Sequence, residues 1–177
     1  MSKKKQGGSV SRTIPPQNMS LLRLNPIVSM IIHVSANLKE IFRLGRNYPW
    51  ERPKKCPQCG GYKLWGHGYR DVIFDGFDAP LLLRRWRCPQ CTCVLVSRPE
   101  DYCSRFQTPT TTIRSILSHR LQYGRWPPGT CHGRCWHWLQ ALKKRTIAWL
   151  GKAWLGNLLG AFDYLIRQGQ VPMSRSI

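Results

Sequence analysis

The sequence is poor in acidic residues: it has 8 Asp and Glu in 177 residues, against 28 Lys and Arg, a formal net charge of +20 at pH 7. No carboxylate side chain occurs between Asp101 and Asp163, although basic residues are frequent there. Such an excess of positive charge destabilises a compact protein through self-repulsion, and it is typical of proteins with a polyanionic partner. Nucleic acid is the first expectation, because neutralised phosphates release condensed counterions. An anionic membrane surface is the second.

The chain also lacks a secretory signal and a long apolar run. A polar stretch to Ser20 separates the basic Lys3–Lys5 from any apolar segment. Ile27–Leu38 is apolar for only about a dozen residues, short of the ~20 that a spanning helix needs. We therefore expect a cytoplasmic, nucleoid-associated protein whose thiols stay reduced. In that compartment, eight cysteines favour metal binding over disulfides.

Two copies of Cys-Pro-Gln-Cys form the most specific motif of the sequence. Cys56 and Cys59 make the first pair, and Cys88 and Cys91 make the second. The two-residue spacing lets a tight turn aim two thiolates at one point, and two such turns complete a tetrahedral four-sulfur shell. We predict one structural Zn²⁺ per chain, although geometry alone does not exclude iron. A redox role is not favoured, because no βαβ pattern surrounds either pair.

The other cysteines leave alternatives open. Cys93 lies close enough to the second pair to compete as a ligand. Cys131 and Cys135 lie one helical turn apart, a spacing that metal sites use, and Cys103, His132 and His137 complete this looser group. Burial in a core is the commoner role of a free cysteine, and we expect it for Cys135.

The residues between the two Cys pairs predict a β-hairpin. The β-rich runs YRDVIF and LLLRRWRC flank an Asp75-Gly76 turn. In the second run, the strand period of two places Arg85 and Arg87 on one face and Cys88 on the other. A hairpin that brings two metal-binding turns together is the construction of a zinc ribbon.

Helical periodicity begins after the second pair. Thr108 is predicted to cap a helix with Pro109 in its first position, and Gly124 is predicted to end that helix. A second helix, capped by Thr130, is expected to run into Lys143, Lys144 and Arg145. Two short helices joined through a glycine-containing turn are compatible with a helix-turn-helix.

A third helical stretch, Thr146–Arg167, carries an apolar stripe. Lys152, Asn157 and Asp163 interrupt it, so we do not expect it to span a membrane. Three roles remain open: covering the core of the module, forming a homodimer contact, or lying on anionic lipid. A homodimer would match two half-sites on DNA.

The predicted fold class is α+β: a small zinc-ribbon β-hairpin module, then a helix-turn-helix-like helical region, then a C-terminal amphipathic helix. Within the N-terminal part, one helix is predicted to end near Gly45. The predicted segments are a disordered basic arm at 1–18, a helical or extended segment at 19–48, the zinc ribbon at 49–104, the helix-turn-helix-like region at 105–145, and the C-terminal apolar helix and tail at 146–177.

Basic residues accompany both the predicted ribbon and the predicted helices. The second helix of a helix-turn-helix enters the major groove N-terminus first. Arg134 is therefore the candidate for a bidentate contact to guanine, and Arg125 for a phosphate contact. The predicted DNA-binding residues are Lys54, Lys55, Arg84, Arg85, Arg87, Arg125, Arg134, Lys143, Lys144 and Arg145.

The runs CPQCGGYKLWGHGYRDVIFDGF, LLLRRWRCPQC, RFQTPTTTIRSILSHRL and GRWPPGTCHGRCWHWLQAL resemble the zinc-ribbon and helix-turn-helix proteins associated with bacterial transposases. The resemblance covers about Pro49 to Arg145 and implies a zinc-dependent module that binds transposon ends. Full transposases add a ribonuclease-H-like domain with a carboxylate triad for two metal ions. After Arg145 the only carboxylate side chain is that of Asp163, so two-metal chemistry lacks its ligands.

The resemblance therefore implies a DNA-binding part without the enzyme: a stand-alone regulator, an accessory subunit or a truncated transposase. The sequence also shows no nucleophile–base motif and no phosphate loop, so we expect no enzymatic activity. An alternative from a different class is a zinc-ribbon interaction module whose C-terminal helix docks on a partner or on a membrane surface.

Overall fold

A computed structural model describes residues 29–174, and within this range the predicted α+β class is confirmed. The predicted arm at 1–18, the residues up to 28 and the last three residues lie outside the described part of the chain. The elements are β1 (Ser29–Val34), α1 (Leu38–Leu44), β2 (Trp65–Val72), β3 (Leu81–Arg87), β4 (Val94–Pro99), α2 (Thr110–Tyr123), α3 (His132–Leu150) and α4 (Leu158–Arg167).

The four strands form one mixed sheet in the order β1-β4-β3-β2. β2 and β3 make the predicted antiparallel hairpin, and Gly76 has the positive φ of 87° that its turn uses. β4 returns antiparallel to β3, whereas β1 pairs parallel to β4. The segment predicted at 19–48 therefore contributes a strand to the same sheet as the hairpin of the predicted ribbon.

Both faces of the sheet are covered at β4, and the strand period of two decides which residues face which core. Leu81 and Leu83 of β3 pack with Leu38 and Ile41 of α1, whose predicted end at Gly45 is confirmed. Trp86 lies on the opposite face, in a second core that the metal-binding loops complete. Because both faces are covered, every residue of β4 is buried.

The predicted helix ends are partly confirmed. Gly124 ends α2 with a left-handed φ of 68°. The predicted caps, however, are wrong at both helix starts. Thr108 does not cap α2, because its hydroxyl donates to the carboxylate of Asp75 and the helix begins after Pro109. Thr130 donates to the carbonyl of Pro127 at 2.7 Å and does not cap α3.

The single helix predicted for Thr146–Arg167 is divided in two. α3 continues to Leu150 and ends at Gly151, whose φ of 90° is unfavourable for other residues. A 3₁₀ segment, Lys152–Asn157, follows. The Asn157 side chain then caps α4 by accepting the backbone N–H of Gly160 at 2.9 Å. Helical periodicity did not show this break, because the apolar stripe continues on both sides of it.

The helices α2, α3 and α4 enclose a third core, in which Leu117, Leu142 and Phe162 are each at most 1% exposed. Of the three roles considered for the C-terminal helix, the structure shows the packing of its apolar stripe into this core. The α2–α3 connection, residues 124–131, is longer than the turn of about three to four residues typical of a helix-turn-helix. No helix within residues 29–174 is both long and apolar enough to cross a membrane.

Asp75 connects the hairpin to the helical layer. Its carboxylate accepts the hydroxyl of Thr108 and lies 3.0 Å from Nη1 of Arg134 at the start of α3. The ion pair with Arg134 is partly exposed and contributes little to stability. Thr108 is a buried residue, so leaving its hydroxyl without an acceptor costs more stability. Asp75 is therefore a structural residue as well as the turn residue that the sequence predicted.

Replacing Asp75 by Ala is expected to lower the free energy of unfolding by about 1–2 kcal/mol, because a buried hydroxyl and a guanidinium lose their acceptor. Urea denaturation of the metal-loaded protein measures this change. Asp78→Ala is the matched control: Asp78 is an exposed carboxylate in the same loop, and we expect a change within about 0.5 kcal/mol. Equal effects of the two substitutions would contradict the structural role of Asp75.

Candidate metal centre

Four cysteines from two loops converge at one end of the β2–β3 hairpin. Sγ of Cys56 lies 3.6 Å from Sγ of Cys91, and Sγ of Cys59 lies 3.5 Å from Sγ of Cys88. All four sulfurs lie within 4.8 Å of one another. A tetrahedral shell with metal–sulfur bonds of about 2.3 Å has sulfur–sulfur edges of about 3.8 Å. The cluster predicted from the two Cys-Pro-Gln-Cys motifs is therefore present, and it indicates a structural metal site.

The two cysteine loops share one backbone design. The backbone N–H of Cys56 donates to the carbonyl of Gly61 at 2.8 Å, and the N–H of Cys88 donates to the carbonyl of Cys93 at 3.0 Å. Each bond closes a loop over the same number of residues. Cys93 thus occupies in the second loop the position that Gly61 occupies in the first.

Equivalent positions of the two loops also share a left-handed backbone. Gly60 has a φ of 74° and Thr92 a φ of 58°. For a residue with a side chain this conformation costs about 1–2 kcal/mol. The second loop carries that cost at Thr92, and in each loop the backbone N–H of the following residue, Gly61 or Cys93, interacts with a cysteine sulfur.

Cys93 is not part of the four-sulfur cluster. Its side chain is 1% exposed and packs in the core with Trp86 and Leu95. Burial raises the pKa of its thiol, which disfavours the thiolate that a metal needs. The interpretation of Cys93 as a competing ligand is therefore not supported.

The cysteines of the helical region do not assemble a second site. Cys135 is 1% exposed in the helical core, and Sγ of Cys103 lies 3.3 Å from the hydroxyl of Thr110. Burial raises the pKa of both thiols. Within residues 29–174, the cluster at the hairpin is the only group of three or more potential metal ligands.

The electrostatics of the four thiols favour a bound cation. The backbone N–H of Cys91, helped by that of Gln90, lowers the pKa of Cys88 to about 7 despite burial. The backbone N–H of Gly61 acts in the same direction on Cys59, but burial and the neighbouring thiols outweigh it and raise that pKa to about 12. One thiol ionises readily and its charge opposes the next ionisation. A divalent cation removes this opposition, because it stabilises all the thiolates together.

Gln90 adds a contact outside the sulfur shell. Its side-chain amide oxygen lies 3.6 Å from Sγ of Cys59. The oxygen and nitrogen of an amide are assigned from their hydrogen-bond partners, and a thiolate ligand favours the orientation in which the amide N–H donates. A Cβ added to Gly61 would lie 2.2 Å from the same amide oxygen, so a larger residue there would displace the Gln90 side chain from Cys59. The Gln of the repeated motif was not predicted to have this role.

The predicted basic residues near the centre are mostly accessible. Lys54, Lys55 and Arg87 are exposed. Arg84 is half-buried: its guanidinium carbon lies 4.8 Å from the centre of the Tyr69 ring, and it also stacks on Trp86. Arg85 is half-buried on the opposite face of the sheet, as the strand period predicted.

The predicted basic residues of the helices differ in their surroundings. Arg125 and Lys144 are exposed and Lys143 is half-buried, whereas Arg134 is paired with Asp75. Arg145 is only 7% exposed and donates to Gln170 at 2.9 Å. Burial therefore removes Arg145 from the accessible basic surface on which the sequence had placed it, and the end of α3 predicted to read bases faces the hairpin turn.

Two large aromatic side chains lie exposed beside the metal centre. Trp65 is 60% exposed and Tyr62 is 71% exposed. Trp65 is directly opposite Arg87 in the β2–β3 register, so both side chains project from the same face. Nζ of Lys55 lies 5.1 Å from the centre of the Tyr62 ring. The sequence showed that aromatic and basic residues alternate here, but it did not show which aromatic residues are exposed.

Comparison of the chain with protein-family models, with curated proteins and with solved structures gives no match. The resemblance to transposase-associated proteins consequently stays a prediction. The interpretation of the centre depends on its own geometry and on the residues around it.

Proposed function

We propose that this chain is a zinc-dependent DNA-binding protein of transposase-like origin, acting as a stand-alone regulator, an accessory subunit or a truncated transposase. The observation that carries the proposal is the ribbon patch, which we define as Lys54, Lys55, Tyr62, Trp65 and Arg87. It combines exposed cations with exposed aromatic rings beside a four-cysteine centre. A cytoplasmic, nucleoid-associated location belongs to the same proposal.

Zinc is the metal that we assign to the centre. Four thiolates at tetrahedral spacing form a closed shell, and such shells in small ribbons mostly hold zinc. Cys56, Cys59, Cys88 and Cys91 would hold it, and the ion would connect the two loops without an open coordination position. Its role is structural, because it orders the loops from which Lys55 and Tyr62 project.

The ribbon patch can make two kinds of contact with DNA: charge contacts with phosphates and stacking on unpaired bases. Lys54, Lys55 and Arg87 supply charges for backbone phosphates, and Trp65 supplies a face on which a base can stack. β2 is an edge strand of the sheet, so no further strand covers the outer side of the patch within the described residues. Since few carboxylates compete for these cations, phosphate is their natural counterion.

Salt dependence is the test of this proposal. Zinc-loaded protein is titrated with duplex DNA by fluorescence anisotropy at about 50 and about 200 mM salt, and about six to ten phosphate contacts predict a 10³–10⁵-fold loss of affinity. Lys55→Gln with Arg87→Gln should reduce the slope of log K against log salt by about 2. In a parallel titration with single-stranded DNA, Trp65→Ala should weaken binding at every salt concentration without changing the slope, because stacking on an unpaired base releases no counterions.

The matched control is Lys39→Gln with Arg43→Gln, which removes the same charge from exposed residues of α1 outside the ribbon patch. If both double variants change the slope equally, the charge acts as general phosphate affinity and the ribbon patch has no special role. Selection from a randomised duplex library then separates sequence-specific from general binding, and a palindromic motif would indicate a homodimer.

The interaction-module alternative rests on a different observation. Trp136, Ile147 and Trp149 are each at least 40% exposed on α3, so the helical layer also presents apolar surface. Docking of such a surface on a protein partner or on a membrane would change little with salt. Retained binding to a partner together with no measurable DNA affinity would favour this alternative.

A further inference from the structure

Arg98 is a buried cation in the middle of the fold. It lies on β4 with 6% of its surface exposed. Its Nε donates to the carbonyl of Tyr102 at 3.3 Å, and its Nη2 donates to the carbonyl of Phe106. The guanidinium carbon also lies 5.1 Å from the centre of the Phe74 ring. A guanidinium has five N–H donors, so these carbonyls engage only part of its capacity.

No carboxylate in the described residues balances this charge. Burial lowers the pKa of Arg98, and the positive charge of Arg70 lowers it further. The undescribed residues 1–28 and 175–177 contain no Asp or Glu that could supply a partner. Buried charges in proteins are normally paired, so a buried arginine beside a second arginine favours the binding of an anion.

A pocket of about 290 Å³ lies beside Arg98. Arg70, Arg105 and Gln107 supply the other polar residues of its lining, and apolar residues of the sheet such as Leu83 form the walls. Arg70 is opposite Leu83 in the register, so it projects from the same face of the sheet as the pocket. At about 30 Å³ per water, the pocket has room for a tetrahedral oxyanion and its waters.

The loop that supplies Arg105 has an unusual backbone. Arg105 has a φ of 68°, a left-handed conformation that a residue with a side chain adopts only at a cost. The buried guanidinium of Arg98 contacts the carbonyl of the next residue, Phe106, which ties this loop to the pocket. Three arginines from two strands and one loop thus meet around one cavity.

We propose that Arg70, Arg98 and Arg105 form a binding site for a phosphate group. Guanidinium groups bind tetrahedral oxyanions through paired N–H donors, and burial strengthens each of these bonds. The site lies on the face of the sheet opposite the metal centre, and it needs neither the metal nor the ribbon patch. The phosphate belongs either to the DNA backbone, which rests on the proposed function, or to a small phosphorylated molecule.

Calorimetric titration of the full, zinc-loaded chain with inorganic phosphate tests this site, with sulfate as a second oxyanion and chloride at equal ionic strength as the reference. We expect saturable heat with phosphate and none with chloride. Arg70→Gln and Arg105→Gln should each lower the phosphate affinity about tenfold, since each removes a charge-assisted contact. Both residues are exposed, so these variants should keep the fold.

Arg43→Gln is the control, because Arg43 is an exposed arginine of α1 outside the pocket. Absence of saturable phosphate binding, or equal affinity in all three variants and the unaltered protein, would overturn the proposal. If Arg70→Gln also weakens DNA binding and free phosphate competes with DNA, the site holds a backbone phosphate. If Arg70→Gln weakens only phosphate binding, it holds a small phosphorylated molecule. A chain that binds phosphate as expected but no DNA would refute the proposed function and leave the phosphate site supported.

Discussion

Replacing Cys88 by Ser is expected to abolish binding of one metal ion per chain and to unfold the sheet that the hairpin completes. Binding of structural zinc contributes about 10–16 kcal/mol to the folding of zinc-finger peptides, which matches or exceeds the total stability of about 5–15 kcal/mol of a typical domain. Cys88 is fully buried and directly follows β3, so its loss also removes a contact from the core beneath the centre. Native mass spectrometry measures the metal content, and far- and near-ultraviolet circular dichroism measures the fold.

Cys93→Ala is the matched control for that experiment. It removes a thiol two residues beyond Cys91, from a side chain that is equally buried but outside the four-sulfur cluster. We expect this variant to keep one metal ion per chain and to lose only about 1–2 kcal/mol of stability. A Cys88→Ser protein that folds with one bound ion, or a metal loss of equal size in both variants, would refute the four-cysteine assignment. Elemental analysis identifies the ion and so separates zinc from iron.

Replacing Phe162 by Ala is expected to lower the free energy of unfolding by about 3–5 kcal/mol. The side chain is 1% exposed and packs among α2, α3 and α4, where the neighbouring side chains cannot close the resulting cavity fully. Urea denaturation of the metal-loaded protein, followed by tryptophan fluorescence, measures this loss. The effect should not depend on protein concentration, because the buried contacts of Phe162 are within one chain.

Phe42→Ala is the control for this substitution. Phe42 is 48% exposed on α1 and makes a ring contact with Phe77, so the same chemical change should cost about 1 kcal/mol or less. If the two substitutions cost the same, α4 does not belong to the core. If the stability of the unaltered chain rises with its concentration, the apolar surface of the helices also forms a homodimer contact.

Features with local causes could be predicted from the sequence. The two Cys-Pro-Gln-Cys loops identify the cluster because each loop directs its own pair of sulfurs, and the hairpin between them needs only a turn at Gly76. The division of Arg85 and Cys88 between two faces follows from the strand period, and the ends of α1 and α2 follow from glycines that adopt a positive φ.

Local signals were insufficient where two signals compete. Thr108 has a good capping side chain, yet its hydroxyl donates to Asp75, which is 33 residues away in sequence. The apolar stripe after Thr146 continues through Gly151, so periodicity predicted one helix where the backbone forms two. In both places a contact or a backbone angle that the pattern does not encode decided the outcome.

Which charges are available to a partner depends on tertiary packing, which the sequence patterns do not show. Arg134 and Asp75 are 59 residues apart in sequence, and their pairing engages a cation of α3 that the sequence had assigned to DNA. Arg145 is buried, whereas Arg98 lies in a buried position that no local pattern reveals. The parallel pairing of β1 with β4 helps to enclose that position. Burial depends on packing between residues that are remote in sequence. A short motif can therefore reveal the metal ligands, whereas the environment of each arginine depends on the folded structure.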